Sequence, residues 1–386
     1  VESEYLFALL EIFILIFVAE IVRSYMGRYG LPLIVGEIIT GIVLSPYGFG
    51  EVFNRILNMP LFTINDYLSF LAEFSMILLI YSSGLEHGMS TLKSSGIYGI
   101  LGALFGALVP FLVSLALLPY PQSLILAVSV GATSIAAVSS ILKERNVEES
   151  ISNFITVASA VDDVVDLLLL TVALSLISGE KPSFLSVTKT IVFYIVIGAL
   201  AFALAVVILP RIADRIEENY VEEFPFISLF GLVFILTTVG FSPIVPAFLA
   251  GIALAESKKR EEFLRISESL LAIFGSLFFV TVGFQLNIQN ITFNGMILGV
   301  ELFVIAIVFK IVGVFPFAYL QTKSSRSAFL ISIGMTPRGE TGIVVGSLGL
   351  TYNVLNTDGY FAVILMTLFT TIFGALLFSY LSKEVK

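Results

Sequence analysis

The sequence predicts an all-helical membrane protein, and three observations carry that prediction. The 386 residues are 58% hydrophobic and 13% charged, with a mean hydropathy of +1.03. The surface of a water-soluble domain of this length needs more charge than that. Hydrophobic runs of about 20 residues suit helices crossing a bilayer, not the shorter alternating strands of a barrel. Glycine, proline and charged residues divide the chain into thirteen predicted spans: 4–26, 31–47, 66–85, 96–118, 122–142, 151–178, 188–210, 225–240, 242–256, 266–285, 295–320, 327–350 and 357–382.

The distribution of basic residues orients these spans. With the N-terminus outside, fifteen of the twenty lysines and arginines fall on the cytoplasmic side. Arg55, Lys181 and Lys189 fall outside, and Lys310 and Arg338 lie within spans. The positive-inside rule therefore predicts N-out and C-in.

Taken in order, span 1 follows Glu2 and Glu4 and reads as a membrane helix, not a cleaved signal; its Glu11 and Glu20 are expected near an interface or a partner helix. Span 2 contains Ile34-VGEIITGIVL-Leu44, with Glu37, and span 3 carries Glu73 and ends in Gly84-LEH. Both glutamates are candidates for lining an access path, or for packing polarity. Span 5 contains Gly131-ATSIAAVSSI-Leu142, a candidate helix break where Thr133 and Ser134 offer oxygen ligands to a cation.

Span 6 is Ile151-SNFITVASAVDDVVDLLLLTVALSLI-Ser178, with adjacent Asp162 and Asp163 in a stretch that otherwise belongs in lipid. One carboxylate at the centre of a membrane helix costs roughly 2.5–3.5 kcal/mol, and adjacent ones also repel. Groups kept at that cost point to holding a cation or a proton. Asp166 shares their helix face, as a third ligand, an access-path acid or a vestibule residue.

Span 9 contains Ile244-VPAFLAGIAL-Leu254, which echoes span 2, and Gly283-FQL in span 10 echoes Gly84-LEH. Equivalent spans seven helices apart cross in opposite directions, so an inverted repeat of about five helices is expected. Span 11 places Lys310 about midway, too deep to reach water easily, where it can pair with Asp162 or Asp163. Span 12 contains Gly334-MTPRGETGIVVG-Ser347. Pro337 between glycines is a helix interruption; Glu340 suits the exposed N–H ends and Arg338 the exposed carbonyls.

Composition also excludes classes. The absence of cysteine excludes disulfide and thiol chemistry, and the single histidine, His87, leaves no histidine metal cluster. The net charge of −9, much of it in acidic loop residues such as Glu217 and Glu222, argues against a nucleic-acid partner. No Walker or Gly-x-Gly-x-x-Gly sequence accompanies the spans, so neither a nucleotide-driven motor nor a cofactor is expected, and no nucleophile–base set suggests an enzyme.

These residues resemble a family. Leu31-PLIVGEIITGIVLSPYG, Leu71-AEFSMILLIYSSGLE, Asp162–Asp163, Pro246-AFLAG, Phe278-FVTVGF, Lys310 and Thr336-PRGE look like the monovalent cation:proton antiporter-2 family of the NapA type, in the family's order. The resemblance implies thirteen helices, with spans 5 and 12 as two crossed, discontinuous helices. It implies a core bundle from spans 3–6 and 10–13, a dimerisation part from spans 1–2 and 7–9, and a homodimer. The compact sequence without targeting segments leads one to expect a prokaryotic plasma membrane. By the same resemblance Asp163 is the main cation- and proton-binding group and Asp162 pairs with Lys310. The double aspartate with that lysine resembles the electrogenic sodium/proton branch, whereas Asp166 departs from the small or apolar residue the family pattern has there.

A carboxylate serves sodium, lithium or a proton, but not both kinds at once. Competition at one site then becomes obligatory exchange when the protein reorients only with the site filled. Potassium/proton exchange and sodium-coupled uptake of an organic solute are the alternatives on the same fold. A channel reading rests only on Thr238-VGF and Thr281-VGF, which lack a re-entrant pore helix.

Overall fold

The computed structural model describes residues 2–28, 33–86, 96–134, 142, 147–178 and 184–382. Every regular element among them is helical. In a bilayer core each backbone N–H and C=O must find its partner within the protein, and a helix does this within one segment. The helices are α1 (Glu2–Arg28), α2 (Leu33–Leu44), α3 (Phe49–Leu57), α4 (Asp66–Glu86), α5 (Ile97–Leu117), α6 (Gln122–Gly131), α7 (Glu149–Ser178) and α8 (Phe184–Ala213). They continue with α9 (Phe224–Thr237), α10 (Ile244–Leu254), α11 (Arg260–Phe284), α12 (Phe293–Thr322), α13 (Ser325–Gly334), α14 (Glu340–Thr351) and α15 (Thr357–Leu381).

Among the described residues, seven helices are long and apolar enough to cross a membrane singly, or eight if the bent pair α2–α3 counts as one span. The sequence did not suggest α3. It is a nine-residue helix turned 42° from α2 and carries Glu51, Asn54 and Arg55. Span 12 divides as expected, into α13 and α14 around residues 335–339. Span 5 begins as α6 and leaves helical geometry at Ala132 (φ −55°, ψ 142°). Most of its second half, 135–141, lies outside the described residues. Thr281-VGF is part of helix α11 down to Phe284, so it forms no extended filter.

Four glycines bring backbones into direct contact. A Cβ on Gly41 of α2 would stand 1.9 Å from the Val280 carbonyl of α11, and one on Gly283 would stand 2.0 Å from Ile38 O. The same contact recurs between α4 and α10. There a Cβ on Gly84 would meet Phe248 O at 2.3 Å, and one on Gly251 would meet Tyr81 O at 2.2 Å. Without water to drive helices together, close van der Waals approach at small residues does much of the packing in lipid.

Packing sorts the helices into two groups. One comprises α1, α2, α4 and α8–α11; the other comprises α5–α7 and α12–α15, in which α5 lies along α12. In the packing, α4 and α11, spans 3 and 10, lie against each other and against α10 and α2. Few contacts link the groups, mainly from α7 to α8 and α10 and from α14 to α4.

Candidate ion-binding site

The site forms where two helices stop. Because α6 ends at Gly131 and α13 at Gly334, backbone groups at both interruptions lose their helical partners. The interruptions satisfy each other. Ser134 N donates to Pro337 O at 2.9 Å, and Thr133 Oγ1 donates to Met335 O at 3.1 Å. Gly339 has no room for a side chain, since a Cβ would stand 2.3 Å from Ser134 Cβ.

Arg338 takes the carbonyls left over, as its charge leads one to expect. Fully buried, it donates from Nη1 to Gly131 O (3.1 Å), Ala132 O (2.6 Å) and Thr133 Oγ1 (3.3 Å), and from Nη2 to Ala306 O (3.0 Å). Thr370 and Thr371 of α15 hold its backbone N and O. Glu340 opens α14, where the helix N-terminus favours a carboxylate, and accepts from Ser134 Oγ at 3.3 Å. The Thr133 and Ser134 hydroxyls, expected as cation ligands, are thus engaged in joining the two breaks.

The long helix α7 lies across this junction and brings Asp162, Asp163 and Asp166 to it, all buried. Lys310 reaches from α12 and chooses Asp162, with Nζ–Oδ2 at 2.6 Å and both side chains fully buried. Its ammonium also donates to Gly131 O at 2.8 Å. The lysine stem passes over Gly106 of α5, where a Cβ would come 3.4 Å from Lys310 Cε. Asp163 Oδ2 accepts from Ser83 of α4 at 3.3 Å, across the seam between the helix groups. Among the described residues, Asp162 Oδ1, Asp163 Oδ1 and both oxygens of Asp166 have no hydrogen-bond partner.

The other membrane acids lie elsewhere. Glu37 is buried against Ser276 Oγ (2.5 Å) and 3.9 Å from Arg23 Nε, between α1, α2 and α11. Glu73 is exposed to a cavity of about 150 Å³ between α4, α11 and α14 that Ser69, Thr281, Gln285, Ser347 and Thr351 also line. Glu11, expected near an interface or a partner helix, is fully buried and accepts from Thr63 N at 2.7 Å and Asn65 Nδ2 at 2.6 Å, in the segment just before α4. Its partners lie more than fifty residues away, which no local pattern reveals. Sequence reasoning also missed Ser83 and Gly131 as parts of the site. The only signal for Ser83 is a serine pair beside Gly84 in an apolar run.

Three buried aspartates and Glu340, which interacts electrostatically with Asp163, thus face two buried basic side chains, Lys310 and Arg338, and the acids are in excess. Monovalent cations or protons balance that excess. A junction of two interrupted helices beside buried carboxylates is the form that binding sites take in many secondary transporters.

Comparison with known proteins agrees with that class. The transmembrane sodium/hydrogen exchanger family matches residues 12–383, and the chain belongs to it. Among curated relatives, a Na(+)/H(+) antiporter of Enterococcus hirae is 28% identical, covering 96% of this chain and 97% of its own. The Na(+)/H(+)-K(+) antiporter GerN of Bacillus cereus is 26% identical over 96% of this chain and 94% of its own. The fold matches that of the sodium proton antiporter MjNhaP1 from Methanocaldococcus jannaschii, with a TM-score of 0.75, 15% identity and 97% of each chain covered.

Proposed function

We propose that the chain is a secondary antiporter exchanging sodium or lithium for protons, with cation and proton competing at Asp163 beside Asp162. The observation that carries this reading is the excess of carboxylates over basic side chains in the buried cluster, together with the Oδ1 atoms of Asp162 and Asp163, which have no partner among the described residues. A carboxylate there is neutralised by either ion and by one at a time. Membership of the exchanger family and the names of the relatives support the ions chosen.

In this reading a core bundle of spans 3–6 and 10–13, which holds the buried cluster, moves against a dimerisation part of spans 1–2 and 7–9. The chain crosses the membrane thirteen times with its N-terminus outside, in a prokaryotic plasma membrane, and the dimerisation part joins two copies. The reciprocal contacts of Gly41 with α11 and Gly251 with α4 support an inverted repeat, because these glycines occupy equivalent positions in the two echoing segments. Lys310 is the candidate second proton carrier on which electrogenic exchange would depend. The name of the GerN relative supports a second reading, in which potassium is also accepted.

The test is proton flux in proteoliposomes carrying a pH gradient, on adding sodium, lithium or potassium, with Asp163→Asn alongside. Sodium- or lithium-driven flux absent from the variant is the expected result. A response to potassium alone would move the chain to the second reading, and no response to any cation would overturn exchange.

A further inference from the structure

Asp166 is fully buried, yet neither of its carboxylate oxygens has a hydrogen-bond partner among the described residues. Exchange at Asp163 leaves this group unused. A buried carboxylate without a donor is costly, which points to another state of the molecule that supplies one. Two buried basic side chains share this cluster, Lys310 and Arg338. Arg338 is fixed in place by four hydrogen bonds from Nη1 and Nη2 to Gly131, Ala132, Thr133 and Ala306, and only its Nε has no partner among the described residues. Lys310 is held only by Asp162 and Gly131 O, at the end of a flexible four-carbon stem.

The geometry brings that ammonium close. Asp166 stands one helical turn beyond Asp162 on the same face of α7. Its Oδ1 lies against Gly131, where a Cβ would be only 2.1 Å away, and Lys310 Nζ lies 2.8 Å from the carbonyl oxygen of that same glycine. Carboxylate and ammonium therefore already touch one residue.

We propose that Asp166 is a second seat for the Lys310 ammonium, taken up when the transported cation claims Asp162. A cation binding Asp162 otherwise strands Lys310 as an unpaired charge in a buried place, a heavy penalty. A second carboxylate one turn away removes it. Asp166 is thus a positioning residue that eases cation binding by acting through Lys310. This rests on the exchange reading above and concerns the cation-bound state in which Lys310 keeps its proton.

The experiment is a double-mutant cycle read as the half-saturating sodium concentration. It uses sodium-induced stabilisation of the full chain against heat in detergent, and exchange in proteoliposomes. Asp166→Asn should raise half-saturation about three- to tenfold when Lys310 is present, the size of a modest coupling between neighbouring groups. In a Lys310→Gln background it should change nothing further, and Asp166→Glu should restore most of the loss. Should Lys310→Gln fail to fold, Asp162→Asn serves instead. There Lys310 sits on Asp166 throughout, so adding Asp166→Asn should lower the melting temperature by more than the sum of the single effects. Equal shifts with and without Lys310, additive melting losses, or no shift with Asp166→Asn would overturn the second seat alone. A wild-type chain showing neither stabilisation by sodium nor exchange would overturn the exchange reading and the second seat with it.

Discussion

Gly131 and Asp166 fit together only while position 131 carries no side chain, because a methyl group there would stand 2.1 Å from Asp166 Oδ1. Gly131→Ala should therefore displace the carboxylate or the helix end, at a cost of about 1–3 kcal/mol for an overpacked site. Asp166→Ala added to it should recover most of the lost melting temperature. Melting curves of the two variants check this, and no recovery would place the strain elsewhere.

Asp162→Asn and Asp163→Asn should separate stability from transport. Asp163 makes one 3.3 Å hydrogen bond, so its near-isosteric variant should keep its melting temperature while losing exchange. Asp162 carries the buried ion pair with Lys310. Removing one partner of such a pair costs about 3–5 kcal/mol when the other is left unpaired, and less where Asp166 takes up the ammonium. Asp162→Asn should therefore still melt below Asp163→Asn. Parallel melting and flux measurements decide, and equal melting temperatures would count against the pair's structural weight.

Arg338→Lys should not be a conservative change. The guanidinium donates to four acceptors at the junction of the breaks, and a single ammonium cannot span them. Loss of roughly 2 kcal/mol or more is expected from the unsatisfied carbonyls. Unaltered melting and full exchange in this variant would contradict the role drawn for the arginine.

One pH effect lies outside the spans. Hydrogen bonds from the Ser257 hydroxyl and the Lys258 amide hold the Asp214 carboxyl below its ordinary range. A lowered folded-state value means stability present above the unfolded value and lost as pH falls through the folded one. The small melting difference between wild type and Asp214→Asn should persist at neutral pH, begin to shrink below about pH 4, and vanish only below the lowered folded-state value. A difference that grows on acidification would reverse the sign.

Much of this was legible beforehand. Pro337 between glycines placed the break in span 12, and the charges of Arg338 and Glu340 matched the backbone ends they meet. Lys310's choice of Asp162 over Asp163 was not readable from the residues themselves. The two are neighbours on α7, and the choice depends on how α12 is rotated, which its close contact with α5 at Gly313 and Phe105 O fixes. The hydroxyls of Thr133 and Ser134 marked the right place but not their partners, which come from another helix pair. Helix α3 escaped notice because it is short and carries Glu51, Asn54 and Arg55.

The glycine contacts tie the two ends of the chain into one another. Gly41 and Gly84 come from the first hundred residues and press on α11 and α10, while Gly283 and Gly251 press back from beyond position 240. Neither half closes these crossings alone, so each is a template on which the other folds. During synthesis α2 and α4 must wait in the bilayer, their glycine faces uncovered, until some 200 further residues have been inserted. The fold is thereby fastened late, by its own second half.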